Sequence, residues 1–155
     1  MELINLVRAA IFCAMAIAVG YSLMMVPNIE LITVTIFLSG LTLNALWGAL
    51  VGFVAMGIYS GLNPLGSGLG FPPLFIAQLI SMSLCGVIGG FLKPFFVTNR
   101  YNISHLVLLG LSGFVVTLIY DVLTLISYPI FSGLGVVGVY AVSYTHLTLP
   151  TTTLV

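Results

Sequence analysis

The chain has 155 residues, of which 61% are hydrophobic and 4% charged, and its formal net charge is zero. A water-soluble domain of this length needs a polar surface that such a composition cannot supply, so the expected solvent is a lipid bilayer. The charged side chains Glu2, Arg8, Glu30, Lys93, Arg100 and Asp121 form no basic footprint, which excludes nucleic acid as a partner.

The first apolar run, Leu3 to Val26, is long enough to cross a membrane at about 1.5 Å rise per residue. It carries one basic residue and no small-residue cleavage site before Pro27, so it reads as a transmembrane helix rather than a signal peptide. Pro27-Asn28 closes it. The next stretch, Ile29 to Ser60, is too long for one span, and Ser39-Gly40 with Thr42 and Asn44 interrupts it, so two helices are predicted over about 29–40 and 44–60. Ser60 to Pro73 is rich in Gly and Pro and reads as a loop. Leu74 to Leu92 is the next span, closed by Lys93, Pro94 and Arg100, and Ile103 to Tyr128 the one after it. After the turn Pro129 to Gly135 an apolar run begins at Val136 and loses its character beyond Ala141. The fold class is therefore an all-α membrane protein, a six-transmembrane-helix bundle in one domain over 1–141, with an incomplete sixth helix over 135–141.

Cytoplasmic loops collect Lys and Arg. With two helices in 29–60, Arg8, Lys93 and Arg100 share one side, which predicts a cytoplasmic N-terminus in a multi-pass protein. Pro27-Asn28, Ser60 to Pro73 and Pro129 to Gly135 then face outside.

Small residues mark helix contacts in lipid, where they let backbones approach. Helix 1 has Ala10, Ala14 and Ala18 at four-residue spacing, followed by Gly20; helix 3 has Gly48 and Gly52, and helix 4 has Gly86 and Gly90. The helix 3 and 4 pairs read as packing within the bundle, whereas the helix 1 stripe equally suits a partner protein. Cys13 and Cys85 lie in apolar runs and read as small core residues, not as a disulfide or metal site.

There is no H-E-x-x-H, no G-x-S-x-G and no phosphate loop, and the histidines, His105 and His146, lie far apart in sequence, so no enzyme and no metal or other cofactor is predicted. Asp121 is the one acid deep in a span, and an ionisable group there marks a function by default. Thr117, Tyr120, Asp121 and Thr124 share its helical face. Asp121 lies about 10 Å below the outer end of helix 5, and Gln78 sits at similar depth in helix 4. Glu30, Asn28, Asn63 and Ser67 also fall in the outer half, so an outward-facing pocket is expected. The competing explanations are an interhelical bond for Asp121 and Gln78, and helix-end capping for Glu30 and Asn28.

From Arg8 to Tyr140 the chain resembles the substrate-binding S component of an energy-coupling factor (ECF) vitamin transporter. The resemblance rests on Ala10, Ala14 and Ala18 after Arg8, on PNIELIT at Pro27 to Thr33, on NPLGSGLGFPPLFIAQ at Asn63 to Gln78, and on YDVLT at Tyr120 to Thr124. It implies a subunit in the prokaryotic plasma membrane that captures a vitamin or related micronutrient from outside. Pro27-Asn28 and Ser60 to Pro73 would be the closing loops. Ala10, Ala14 and Ala18 would dock on a membrane-embedded T component coupled to two cytoplasmic ATPase subunits. Glu30, Asn63, Gln78, Tyr120, Asp121 and Thr124 are the candidate substrate-binding residues. Two acids with no basic residue nearby suit a neutral or cationic ligand, and Tyr59, Phe71 and Tyr120 could cover a ring.

The tail Val142 to Val155, VSYTHLTLPTTTLV, is polar where a span should continue, and it resembles translated sequencing-adaptor read-through. It reads as non-native. A different class of function, an accessory subunit that scaffolds a membrane complex and binds no small molecule, predicts directly paired polar groups and no outer cavity. A membrane-embedded enzyme is disfavoured, since prenyl or lipid chemistry calls for several acids or histidines near a metal or phosphate.

Overall fold

The computed structural model describes residues 2–25, 31–64, 66–96 and 103–131. Among them all regular structure is helical: α1 (Glu2–Leu23), α2 (Ile32–Thr42), α3 (Ala45–Gly61), a 3-10 turn (Gly68–Gly70), α4 (Pro72–Phe96) and α5 (Ile103–Phe131). Three segments, Leu3–Leu23, Pro72–Phe96 and Ile103–Ser127, are long and apolar enough to cross a membrane, and α2 and α3 are shorter apolar helices. The expected sixth helix over 135–141, the turn before it and the tail over 142–155 lie outside the described residues.

The chain between residues 29 and 60 breaks at Leu43-Asn44, not at Ser39-Gly40. Ser39 is fully buried inside α2 and its hydroxyl donates to the Ile36 carbonyl at 2.6 Å, so its polarity is absorbed by its own helix. Leu43 still donates to the Ser39 carbonyl, but Asn44 is extended and caps α3, its Oδ1 accepting from the Trp47 N–H at 2.9 Å. Helix α4 is longer than the apolar run suggests at both ends. Pro72 and Pro73 sit in its first turn, where their missing N–H groups have no helical partner to lose. Pro94 lies inside its last turn, where a proline removes a single backbone bond.

Helices α2, α3 and α4 meet backbone to backbone. Gly40, Gly48 and Gly86 converge on one another, Gly52 lies on the Met82 carbonyl, Gly89 on the Phe37 carbonyl and Gly90 on the main chain of Ala45. A Cβ added at any of these six would come within 3.0 Å of another helix's backbone, closer than real Cβ atoms approach. The pairs Gly52–Met82, Gly48–Gly86 and Ala45–Gly90 run in opposite senses, so α3 and α4 are antiparallel. Around this contact Ile32, Ile36, Val51, Ala55, Met56, Met82 and Cys85 form the core.

The other two helices attach to that block. Helix α1 packs on α2 and α3 through Ala9, Ala16 and Gly20, with Gly20 against the Tyr59 ring and Ile32. Among the described helices α5 packs on α4 alone, and its Gly110 and Gly113 have open space where a side chain would be.

These environments predict opposite outcomes for two identical substitutions. Gly86→Ala forces the α3 and α4 backbones apart and is expected to cost about 1–3 kcal/mol. Gly110→Ala meets nothing among the described residues and is expected to leave stability unchanged or raise it by up to about 1 kcal/mol. Thermal unfolding of the two variants in the same detergent reads the difference.

Candidate functional site

One set of polar side chains that bridge helices lies at the end where α1, α3 and α5 finish and α4 begins. Ser60 is buried near the end of α3 and its Oγ donates to Gln78 Oε1 of α4 at 2.7 Å. Gln78 Nε2 in turn donates to the Tyr120 hydroxyl of α5 at 3.5 Å. The first bond is short and the second is at the limit of the range, so the α3–α4 link is the stronger. Helix α1 joins through Tyr21, whose hydroxyl lies 3.3 Å from the carbonyls of both Ile58 and Tyr59, with the two tyrosine rings 5.1 Å apart and tilted.

The glycine-rich segment between α3 and α4 folds over this network. The Ser67 hydroxyl donates to the Gly61 carbonyl at 2.7 Å and accepts from the Leu69 N–H, starting the 3-10 turn. Gly68 lies against Ser60 Oγ and the Phe75 ring, a close approach that any side chain would block. Gly66 has φ 156°, a left-handed conformation that favours glycine, and its N–H donates to the Asn63 carbonyl at 3.2 Å. Close covering of the end of α3 thus accounts for Gly68, and backbone conformation for Gly66.

The candidate residues do not all converge. Gln78 and Tyr120 are brought together, and Asn63 sits half-buried in the covering segment. Thr124 turns its hydroxyl back on its own helix, to the carbonyls of Tyr120 at 2.8 Å and Asp121 at 3.2 Å. Asp121 is exposed and takes no part in the Ser60–Gln78–Tyr120 network. Thr117 is exposed one turn below it, bonded to the Gly113 carbonyl. Glu30 and Asn28 lie outside the described residues. Ser60 and Tyr21 were not singled out from sequence; a serine closing an apolar helix and a tyrosine at the end of a span were the available signals.

A separate cleft of about 550 Å³ opens between α2, α4 and α5, with Thr33, Phe37, Cys85, Leu109, Ser112 and Thr117 among its walls. Its polar side chains are already engaged. Thr33 donates to the Met82 sulfur, Cys85 to the Thr33 carbonyl, Ser112 to the Leu109 carbonyl and Thr117 to the Gly113 carbonyl. The cleft therefore behaves as an apolar surface.

On α1, Ala10, Ala14 and Ala18 are all exposed, while Ala9, Ala16 and Gly20 are buried against the bundle. The helix carries two small-residue faces, one used internally and one open. Among the described residues no three His, Cys, Asp or Glu side chains are grouped to hold a metal ion.

No protein-family model, curated protein or solved structure matches this chain. What stands is a helical protein of membrane-like character, with a polar network linking α3 to α4 and α4 to α5, and with α1 tied to α3 at the same end.

The Ser60–Gln78 bond is testable by a double-mutant cycle. Gln78→Leu leaves the buried Ser60 hydroxyl without its acceptor and is expected to cost about 1–3 kcal/mol. Adding Ser60→Ala should recover part of that loss, giving a coupling of at least about 0.5 kcal/mol. Additive losses in detergent unfolding would show that the two side chains act separately.

Proposed function

We propose that the chain is a membrane-embedded, multi-pass substrate-binding subunit of a prokaryotic importer, of the ECF S-component kind, taking up a vitamin or related micronutrient. The observation that carries this reading is the Ser60–Gln78–Tyr120 network at one end of the bundle, roofed by the glycine-rich segment over 62–71. A small number of placed polar groups among aromatic and aliphatic walls is how membrane and soluble sites alike orient an uncharged ligand. In this reading that end faces outside, the N-terminus is cytoplasmic, and a sixth helix beginning near residue 135 completes the bundle.

The open alanine face of α1 supports the partner half of the proposal. Ala10, Ala14 and Ala18 offer a flat surface on which a T component could seat a helix closely, leaving energy supply to two cytoplasmic ATPase subunits. Nothing in this reading asks the chain itself for catalysis.

A second reading has its own support. The network's polar groups bond one another directly, which is what an accessory scaffold with no small ligand would also display.

Native mass spectrometry of the detergent-purified protein, screened against vitamins and related cofactors, separates the two. The importer reading expects a small molecule whose binding weakens at least about tenfold in Gln78→Ala, and an Ala14→Leu variant that keeps the ligand but no longer co-purifies with the energising subunits. A protein that stays empty against every candidate favours the scaffold.

A further inference from the structure

The corner between α2 and α3 lies beside the last turns of α4. Helix α2 ends at Thr42, and its final carbonyls have no partner within the helix, a deficit that is costly away from water. Leu43 leaves helical geometry, with φ −86° and ψ −84°, and Asn44 begins the cap of α3. Across from them Lys93 of α4 points its ammonium at this corner. Nζ donates to the Thr42 carbonyl at 2.9 Å and to the Leu43 carbonyl at 2.6 Å.

A cation at a helix C-terminus is favoured by the orphan carbonyls and the helix dipole together, and charge-assisted bonds are stronger than neutral ones. The position adds leverage. Gly90, less than a turn from Lys93, lies against the main chain of Ala45, and Gly89 lies on the Phe37 carbonyl. These contacts are tight but offer only dispersion, which falls off steeply if the helices part by a fraction of an ångström. Lys93 supplies a directional, long-reach bond at the same corner.

We propose that Lys93 is a latch: its charge holds the α2–α3 corner on the end of α4, and α2 opens from α4 when that charge is lost. Two features of the chain make this readable. Lys93 is its only lysine. Cys85, about two turns away on α4, is 1% exposed and its thiol donates to the Thr33 carbonyl of α2, so it reports separation of the two helices.

The experiment labels Cys85 with a small membrane-permeant maleimide in a Cys13→Ser background, comparing the parent with Lys93→Met and Lys93→Arg. The latch predicts labelling about tenfold faster in Lys93→Met and near the parental rate in Lys93→Arg. Equal rates in Lys93→Met and the parent overturn it, as does an Arg variant that labels as fast as the Met variant. Should Lys93→Met fail to fold, acylation of Lys93 in the unsubstituted chain decides. An amine-reactive ester should modify it at least about tenfold more slowly in the folded protein than after unfolding in SDS; equal rates would mean the amine is not held.

Discussion

Removing side chains from the line where α2, α3 and α4 touch is the constraint on which the rest of this molecule depends. Lipid tails are as apolar as leucine, so burying apolar surface between helices gains little in a bilayer, and association rests on close van der Waals contact and interhelical hydrogen bonds. Six glycines, Gly40, Gly48, Gly52, Gly86, Gly89 and Gly90, turn that requirement into backbone contact. Because α3 and α4 touch along their length, Ser60 and Gln78 arrive opposite one another at the far end. A bond of 2.7 Å between side chains on different helices demands that kind of fixed spacing.

The outer helices, by contrast, are attached along one side. Helix α1 spends one small-residue face on the bundle and leaves Ala10, Ala14 and Ala18 open, while α5 touches only α4 among the described helices. For α5 this has an energetic consequence. A carboxylate exposed to hydrocarbon costs on the order of 3 kcal/mol or more, and Asp121 is exposed within a segment able to span a membrane. With Thr117 beneath it and Gly110 and Gly113 unfilled, this face of α5 suits further protein rather than lipid.

Much of this was legible in the sequence, and the reasons are specific. Gly48 and Gly52 on α3, and Gly86 and Gly90 on α4, signal close packing within the bundle, because spacing of four puts small residues on one helical face, though not that the two faces meet each other. Gly40 and Gly89 contribute as much without such a signal, since Gly40 reads in sequence as a helix break and Gly89 meets Phe37 of α2 rather than α3. Proline reads as a boundary at both ends of α4, yet Pro72 and Pro73 fit its first turn at no cost in backbone bonds, and Pro94 sits in its last turn at the loss of one. At the site, Gln78 stands out in sequence by its depth and Tyr120 by the helical face it shares with Asp121 and Thr124. Asp121 was grouped with them because its stripe on α5 is broad enough to straddle two directions, and only packing against α4 decides which edge turns inward. Ser60 was overlooked because a serine at a helix end has a local explanation in sequence that its bond to Gln78 overrides.

The same geometry narrows what a ligand of the proposed kind could be. Sequence alone allowed a neutral or a cationic molecule, on the strength of two acids, Glu30 and Asp121. The described bonds of that network join an amide and hydroxyls. A cation placed among such groups would lose its hydration and gain only dipoles in return, a poor exchange at low dielectric. A neutral molecule with hydrogen-bonding edges loses far less and can exchange partners with Gln78, whose bond to Tyr120 is already long. For Asp121 to meet a charged ligand there, α5 would have to turn, breaking the packing of Ser112, Val116 and Ser127, all buried on that helix. Among ligands of the proposed class, the described packing thus favours the uncharged ones.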